Sequence, residues 1–243
     1  MKKIFKFIPR YSIVPLLMLG VIHFSAFYVT RPITNGWKHY DFSLAIDQLI
    51  PFVPAFIVIY VLAFLQWAFG LLYQVNHGKD SCFRFMAAML ISELICFATF
   101  IIIPTALCGN VTQPEVTGTD FFSWLTRIIY SSDQPNNLFP SLHCFASWMC
   151  FRGVFFIDRE HRNTFYTVFS FVFSLLVFAS TVFVKQHVFV DIIGGVVLAE
   201  IGILLEKITG AHRLLEALDK KLFKGKPEPG SDTEQTAEPR KEQ

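Results

Sequence analysis

The apolar residues of this chain come in long runs that are separated by short polar stretches. Six runs reach the length that crosses a bilayer as a helix, roughly 17 residues or more. They fall at about 13–30, 50–73, 85–104, 142–158, 164–184 and 187–207. The pattern predicts an all-α fold, a polytopic bundle of six transmembrane helices that forms one membrane domain over residues 1–209.

Composition agrees with this prediction. Of the 243 residues, 53% are hydrophobic and 16% are charged, which is too apolar for an ordinary soluble domain. The first run follows the basic segment "MKKIFKFIPR" and therefore resembles a signal peptide, but no small-residue cleavage site comes after it. We therefore expect the first run to be a retained span. The expected partners are the lipid bilayer and a membrane lipid, with no nucleic acid; the oligomeric state stays open.

Lys and Arg are distributed unequally between the two sides of the predicted bundle. All but four of the 21 lie on the side of the N-terminus, and the four exceptions are Arg31, Lys38, Arg127 and Lys185. Because positive residues concentrate in cytoplasmic loops, the N- and C-termini are predicted to be cytoplasmic in a multi-pass protein of the plasma membrane. The polar stretches at 136–145 and 185–195 then face the extracytoplasmic side.

Two further segments have amphipathic patterns. Residues 210–226 place leucines on one helical face and basic residues on the other, so a juxtamembrane helix is expected along the inner leaflet, with a partner-docking helix as the alternative. The tail at 227–243 is predicted to be disordered. In the long outer loop at about 105–140, "TDFFSWLTRIIY" predicts a short helix in the membrane interface.

The first candidate for chemistry is "NNLFPSLHCF" at 136–145. Asn and Pro discourage regular structure up to Ser141, which is a good N-cap, so a helix is predicted to begin at Leu142. His143 then lies in the first turn, where unpaired backbone N–H groups favour an anion.

The second candidate is "KQHVFVDIIGG" at 185–195. His187 and Asp191 are four residues apart and project from one helix face. The carboxylate can accept the proton of one imidazole nitrogen and so fix the tautomer of the ring. Together with His143, this arrangement suits phosphoryl transfer, with one histidine as nucleophile and the other as general acid.

Other interpretations of these residues are possible. A single His at a span end is commonly an interfacial residue, but the set with Ser141 and Asp191 favours function. A zinc site would need a third convincing donor or an HExxH segment, and neither is found. A serine-hydrolase triad of Ser141, His187 and Asp191 would need a GxSxG turn, which is also missing. No metal and no other cofactor are therefore expected.

The two segments resemble motifs of a known family. "PSLH" at 140–143 is similar to the Pro-Ser-Gly-His motif of the type 2 phosphatidic acid phosphatase superfamily, which includes the vanadium haloperoxidases. "STVFVKQHVFVD" at 180–191 is similar to its Ser-Arg-x5-His-x3-Asp motif, with His and Asp in register. The resemblance, over about residues 50–207, implies that His187 forms a phosphohistidine, that Asp191 orients it, and that His143 protonates the leaving alkoxide. It also implies that Ser141 helps to hold the phosphate.

The chain departs from the family pattern at its cations. Where the family has Lys-x6-Arg-Pro, this sequence has Ala106, Gln113 and Pro114; in the third motif Thr181 replaces Arg, and Leu142 replaces Gly in the second. The three phosphate-binding cations of the pattern are thus missing, and such groups commonly supply much of phosphoryl-transfer catalysis.

Lys185 is the local candidate to replace these cations, since it lies two residues before His187. A lysine that snorkels to the interface is the alternative. Gln113 and Thr181 stand at the arginine positions of the motifs and complete the predicted substrate-binding set, with a purely structural role as their alternative. Arg31 and Arg127 could assist.

The expected function is hydrolysis of a lipid phosphate or pyrophosphate by an integral-membrane lipid phosphatase. The form "ST…KQH…D" also resembles the branch with the inositolphosphorylceramide and sphingomyelin synthases, so a lipid phosphotransferase is the alternative enzyme. Because the cations are missing, a non-hydrolytic binder or transporter of anionic lipid stays open. The sequence does not identify the lipid.

Three charged residues lie well inside the cytoplasmic halves of predicted spans, Glu93, Arg152 and Glu200. At ~1.5 Å per residue, each lies about 9–12 Å inside the cytoplasmic boundary. Unpaired charges at that depth are costly, so we predict that Arg152 bridges Glu93, Glu200 or both.

Overall fold

The computed structural model describes residues 8–223, and this part of the chain is helical, with no strand and only two isolated β-bridges. The all-α prediction is confirmed. The α-helices are α1 Arg10–Tyr28, α2 Thr30–Thr34, α3 Ala45–Leu49, α4 Ile57–Val75, α5 Lys79–Ile102, α6 Phe121–Ser132, α7 Leu142–Arg152, α8 Thr164–Phe183, α9 Phe189–Thr209 and α10 His212–Leu222. Three short 3-10 turns lie at Pro54–Phe56, Gly153–Phe156 and Arg159–His161.

Four segments of the described chain are long and apolar enough to cross a membrane: Arg10–Thr34, Pro54–Val75, Lys79–Ile102 and Thr164–Phe183. The predicted count of six spans is not confirmed. The segment predicted at 142–158 is the shorter apolar helix Leu142–Phe156. The segment predicted at 187–207 is the 21-residue helix α9, which carries four charged residues, Asp191, Glu200, Glu206 and Lys207.

The helices pack around α5 and α7. Helix α5 lies between α1 and α9, and α7 lies between α8 and α9, while α4 packs against both α7 and α8. More than half of α5 is buried, including its aromatic residues Phe83, Phe85 and Phe100. Large apolar side chains are exposed on the outer faces of α1, α4, α8 and α9. Such a surface, apolar outside as well as inside, is typical of a bundle in lipid.

Helices α7 and α9 approach each other closely because α9 has a glycine at the contact. A Cβ at Gly195 would lie 2.6 Å from the backbone oxygen of Ser141 and 2.9 Å from the Cβ of Cys144. The backbone N–H of Ser141 donates to the backbone oxygen of Asp191 at 3.1 Å. This contact joins the beginnings of the two helices that carry the predicted catalytic residues.

The predicted helix starts agree with the structure. Helix α7 begins at Leu142, and the hydroxyl of its N-cap Ser141 accepts from the backbone N–H of Cys144 at 3.3 Å. The predicted loop helix is α6, whose N-cap Asp120 accepts from Phe122 and Ser123. The hydrogen bonds from Ser123 and Phe122 lower the pKa of the Asp120 carboxyl.

The amphipathic segment predicted at 210–226 contains α10. This helix packs on α5 through the buried Leu215, while Leu214 and Leu222 remain exposed. Residues 224–226 and the tail predicted at 227–243 lie outside the described residues.

The charges inside the bundle are paired, as expected, with one difference. Arg152 forms two hydrogen bonds with Glu200, from Nε to Oε1 at 2.7 Å and from Nη2 to Oε2 at 3.0 Å, so this part of the prediction is confirmed. Glu93 does not pair with Arg152; its Oε1 lies 2.7 Å from Nδ1 of His23. The helix order explains the difference, because α5 packs between α1 and α9 and Glu93 faces α1.

Candidate active site

A cavity of about 220 Å³ lies at the end of the bundle where α4, α7 and α9 begin. Its walls come from α1, α4, the end of α6 and the following loop, the start of α7 and the loop before α9. Both predicted catalytic histidines, His143 and His187, line it. The other walls are mostly aromatic and aliphatic, with polar groups from residues 132–137 and Gln186.

His187 contacts the predicted carboxylate, but it lies in the loop before α9 and not on the helix face that the four-residue spacing predicted, because α9 begins at Phe189. Its Nδ1 lies 3.1 Å from Oδ2 of Asp191, which also accepts from the backbone N–H of Val188 at 3.0 Å. Asp191 is fully buried and His187 is 8% exposed. With Nδ1 donating to the carboxylate, Nε2 of His187 keeps its lone pair, which is the tautomer that a nucleophile needs.

His143 lies against a wall of aromatic rings. It stacks on Tyr60 with 4.1 Å between ring centroids, and its centroid is 5.0 Å from that of Trp67. The centroids of the His143 and His187 rings are 6.1 Å apart, and both rings line the same cavity. Within residues 8–223, the buried Nε2 of His143 has no hydrogen-bond partner. A buried donor or acceptor without a partner is costly, so this nitrogen is available to a ligand.

Tyr60 and Asp133, to which the sequence assigned no role, connect His143 to Arg31, which was expected only to assist phosphate binding. The hydroxyl of Tyr60 donates to Oδ2 of Asp133 at 2.9 Å and lies 3.5 Å from Nδ1 of His143. Arg31 donates to Oδ1 of the same carboxylate at 2.8 Å. The chain of contacts thus brings one of the few outer arginines to the edge of the cavity. Asp133 lies in the polar, turn-rich segment before α7. The helices that carry Tyr60 and Arg31 are far away in sequence, so no local pattern could identify these contacts.

Unlike the two histidines, the predicted substrate-binding residues lie outside the cavity wall. Ser141 is fully buried, and its hydroxyl caps α7. Thr181 is also fully buried, and its hydroxyl donates to the backbone oxygen of Phe178 at 2.8 Å. Neither residue lines the cavity. Gln113 lies in the loop before α6 and does not line it either.

Lys185 points to backbone oxygens rather than into the cavity. Its Nζ donates to the carbonyls of Asp47 at 2.9 Å and Ile50 at 2.5 Å. Burial lowers the pKa of the Lys185 ammonium, while the charge of Asp47 acts in the opposite direction. The Asp47 carboxylate also accepts from the backbone N–H of Phe189 at 2.7 Å, at the start of α9. In this arrangement Lys185 and Asp47 position the loop that carries His187.

The histidine of a second histidine–carboxylate pair lines the same cavity. His23 on α1 is one of the wall residues, and its Nδ1 is bonded to Glu93 of α5. The centroid of its ring is 6.4 Å from that of Trp67, the residue that also contacts His143. We assigned nothing to His23 from the sequence, because no local pattern accompanies it.

One group of potential metal ligands occurs among the described residues, at the other end of the bundle. It consists of Asp80, His212 and Glu216, whose ligand atoms lie within 4.8 Å of one another. Asp80 is in the first turn of α5 and the other two are in α10, and neither helix contributes a residue to the cavity wall.

The comparisons with known proteins agree with the motifs. A family model described as the PAP2 superfamily matches residues 51–205, which include both catalytic segments and most of the cavity wall. Searches of curated proteins and of solved structures found no match. The match covers more than half of the chain, and the protein therefore belongs to the PAP2 superfamily.

Proposed function

We propose that this protein is an integral-membrane lipid phosphatase that hydrolyses a lipid phosphate or pyrophosphate through a phosphohistidine on His187. The observation that carries the proposal is the pair of histidines on one cavity, 6.1 Å apart between ring centroids, of which one is hydrogen-bonded to a buried carboxylate. Membership of the PAP2 superfamily supports phosphatase-type chemistry on lipid phosphates.

The proposed reaction has two steps. In the first, Nε2 of His187 attacks phosphorus, the N–P bond forms, and the P–O bond to the lipid breaks while His143 gives its proton to the leaving oxygen. In the second, a water attacks phosphorus, the N–P bond breaks, and His143 takes the proton of that water. Asp191 keeps Nδ1 of His187 protonated throughout and stabilises the positive charge that develops on the ring.

The negative charge of the phosphoryl group must be stabilised without a cation in the wall. None of the described residues that line the cavity is Lys or Arg. The backbone N–H groups at the start of α7 and the side-chain amide of Asn136 are donors in the lining segments, and the N-terminal end of α7 favours an anion. Lys185 would contribute only after leaving the carbonyls of Asp47 and Ile50.

We further propose six spans with both termini cytoplasmic and the site at the extracytoplasmic face of the plasma membrane. The pairing of the charges of α9 supports its inclusion as a span. Asp191 belongs to the catalytic pair, Glu200 is bonded to Arg152, and Glu206 is bonded to His212 at 2.5 Å. A helix whose charges are paired inside the bundle can cross lipid despite its composition.

A lipid phosphotransferase is the second candidate. His143 and His187 are each only 8% exposed, and the wall around them is aromatic. A site that excludes bulk water favours the hydroxyl of a second lipid as the acceptor of the phosphoryl group.

Purified protein in nanodiscs tests these proposals when it is given phosphatidate, phosphatidylglycerol phosphate and undecaprenyl pyrophosphate. Free phosphate supports the phosphatase, and transfer to an added lipid alcohol supports the phosphotransferase. Rapid quenching should trap an acid-labile, base-stable phosphoprotein that His187→Ala lacks, and the pH profile of turnover should be bell-shaped. Binding that stabilises the protein without any turnover would instead favour the lipid binder.

A further inference from the structure

The pair formed by His23 and Glu93 is not used in the proposed reaction. Glu93 is 1% exposed in the middle of α5, and Nδ1 of His23 lies 2.7 Å from its Oε1. The other carboxylate oxygen, Oε2, is buried and has no hydrogen-bond partner within residues 8–223. An apolar contact could hold α1 on α5 equally well, since buried ion pairs are often no more stabilising than apolar side chains of similar volume. The ring of His23 lines the cavity, so the pair faces a ligand site.

The pair lies deeper in the bundle than the catalytic histidines. Tyr60, which stacks on His143, is in the first turn of α4, and Trp67 is seven residues further along, which corresponds to ~10 Å along the helix axis. The ring of Trp67 contacts both His143 and His23, with centroid distances of 5.0 and 6.4 Å. His23 therefore contacts the same indole ring as His143, and its partner Glu93 in the middle of α5 places the pair toward the middle of the helices.

The part of a lipid substrate that reaches this level is the backbone that links the phosphate to the tails. When the phosphate lies between His143 and His187, the tails must leave toward the apolar middle of the bundle. The wall on that side includes Phe24 and Phe64, which are 62% and 47% exposed on the outer surface. In a glycerol or sphingoid lipid, carbonyl or hydroxyl oxygens occur a few bonds from phosphorus, whereas a polyprenyl phosphate has only hydrocarbon there.

We propose, on the basis of the proposed lipid chemistry, that His23 and Glu93 bind a backbone oxygen of the substrate and select glycerol- or sphingoid-based phosphates over polyprenyl phosphates. Nδ1 of His23 is engaged by Glu93, which leaves Nε2 for the substrate. A charged ring donates from Nε2 to a carbonyl oxygen, and a neutral ring accepts there from a hydroxyl. In an apolar cavity such a hydrogen bond is selective, because a ligand without the oxygen leaves the buried polar group unpaired.

The test measures kcat/KM for four substrates: phosphatidate, its dialkyl ether analogue, ceramide 1-phosphate and undecaprenyl phosphate. The variant is His23→Leu with Glu93→Leu, which removes both polar groups and leaves no unpaired charge. We expect kcat/KM for the oxygen-bearing lipids to fall by about tenfold relative to undecaprenyl phosphate. A loss for phosphatidate but not for its ether analogue identifies the ester carbonyl, and a loss for ceramide 1-phosphate identifies the amide or hydroxyl.

The matched control removes a partly exposed pair that is remote from the cavity, Arg152→Met with Glu200→Gln. It should leave the ratio between substrates at the wild-type value. An equal loss for all four substrates in the His23/Glu93 variant, or no change in the ratio, would overturn the proposal, since the pair would then serve only the phosphate or the packing of α1 on α5.

Binding separates this proposal from the proposed reaction. His187→Gln keeps a donor for Asp191 but has no nucleophilic nitrogen, so it reports substrate binding without turnover. In this background dioctanoyl phosphatidate should raise the unfolding temperature more than farnesyl phosphate does, and the difference should vanish when His23 and Glu93 are also replaced by Leu. That result would support the pair even if the wild-type protein hydrolysed no lipid. Equal shifts from the two lipids would contradict it even if the wild-type protein were an active phosphatase.

Discussion

The two histidine–carboxylate pairs of the cavity have the same chemistry but different construction. His187 and Asp191 are four residues apart at the start of α9, whereas His23 and Glu93 are 70 residues apart and join α1 to α5. The geometry of the first pair is determined by the start of one helix, and the second exists only when two helices pack in the right register. A catalytic pair benefits from the first design because its distances do not depend on the positions of other helices. A pair that spans two helices can instead adapt to different ligands.

The two pairs should differ most in how strongly activity falls when their histidines are replaced. His187→Ala should lower phosphate release by about 10³-fold or more, because it removes the nucleophile, and His143→Ala should lower it most for substrates with poor leaving groups. The His23 and Glu93 variant should change the order of preferred lipids while turnover stays measurable. Phosphate release from a lipid panel measures both effects. Activity that survives His187→Ala, or that chelators abolish, would contradict the assignment of the first pair.

Replacing the carboxylate should likewise reduce activity more in the pair of His187 and Asp191 than in the pair of His23 and Glu93. Asp191→Asn keeps the shape of the side chain but holds Nδ1 of His187 less well, so kcat should fall by about 100-fold. Glu93→Gln still accepts a hydrogen bond from His23, and we expect a change of only several-fold, seen mainly in KM for oxygen-bearing lipids. Steady-state kinetics at several pH values separates the two. If Glu93→Gln lowered kcat as much as Asp191→Asn, the distinction between a catalytic and a binding pair would be wrong.

The contrast between the pairs also explains how much the sequence could predict. The contact of His187 with Asp191, the N-cap at Ser141 and the helix start at Leu142 are local features, and all three agree with the structure. The prediction that His187 projects from the same helix face as Asp191 is wrong, because α9 begins only at Phe189. The contact of His23 with Glu93 and that of Tyr60 with Asp133 depend on how distant helices pack, which no short segment specifies. Gly195 was part of the quoted motif, but its role in the close approach of α7 and α9 needs both helices.

The depth of the charged residues in the bundle could be predicted from the sequence more easily than their partners. The positions of Glu93, Arg152 and Glu200 inside apolar runs correctly indicated that they pair, because the cost of a charge in lipid depends on depth alone. Which carboxylate meets Arg152 depends on the neighbours of α7, and α9 is a neighbour of α7. The count of six spans is not confirmed by length and composition, because Leu142–Phe156 is short and α9 is charged.

A smaller effect is expected at His143, which lies close to His187 and packs against the aromatic wall. Tyr60→Phe keeps the ring that stacks on His143 but removes the hydroxyl that bonds Asp133, so His143 loses part of its orientation. We expect phosphate release to fall by about tenfold with little loss of stability. The matched control is Tyr73→Phe, at the other end of the same helix, where the ring stacks on Tyr166. Equal activities of the two variants would show that the hydroxyl of Tyr60 does not act on His143.

The smallest effect concerns a third pair, Arg152 and Glu200, which has no contact with the cavity and should act on stability alone. The side chains are 27% and 43% exposed, so solvent or headgroups screen part of their attraction, and Arg152→Met should lower the free energy of unfolding by about 1 kcal/mol. Arg152→Met with Glu200→Gln should recover most of this loss, because no charge is left unpaired and the Gln oxygen can keep the bond from Trp148, which is 2.8 Å from Oε1 of Glu200. Arg159→Met removes the same charge from an exposed turn and should change nothing. Unfolding followed in detergent measures all three. If the double variant were no more stable than Arg152→Met, the charge on Glu200 would already be solvated, and the pair would not hold α7 against α9.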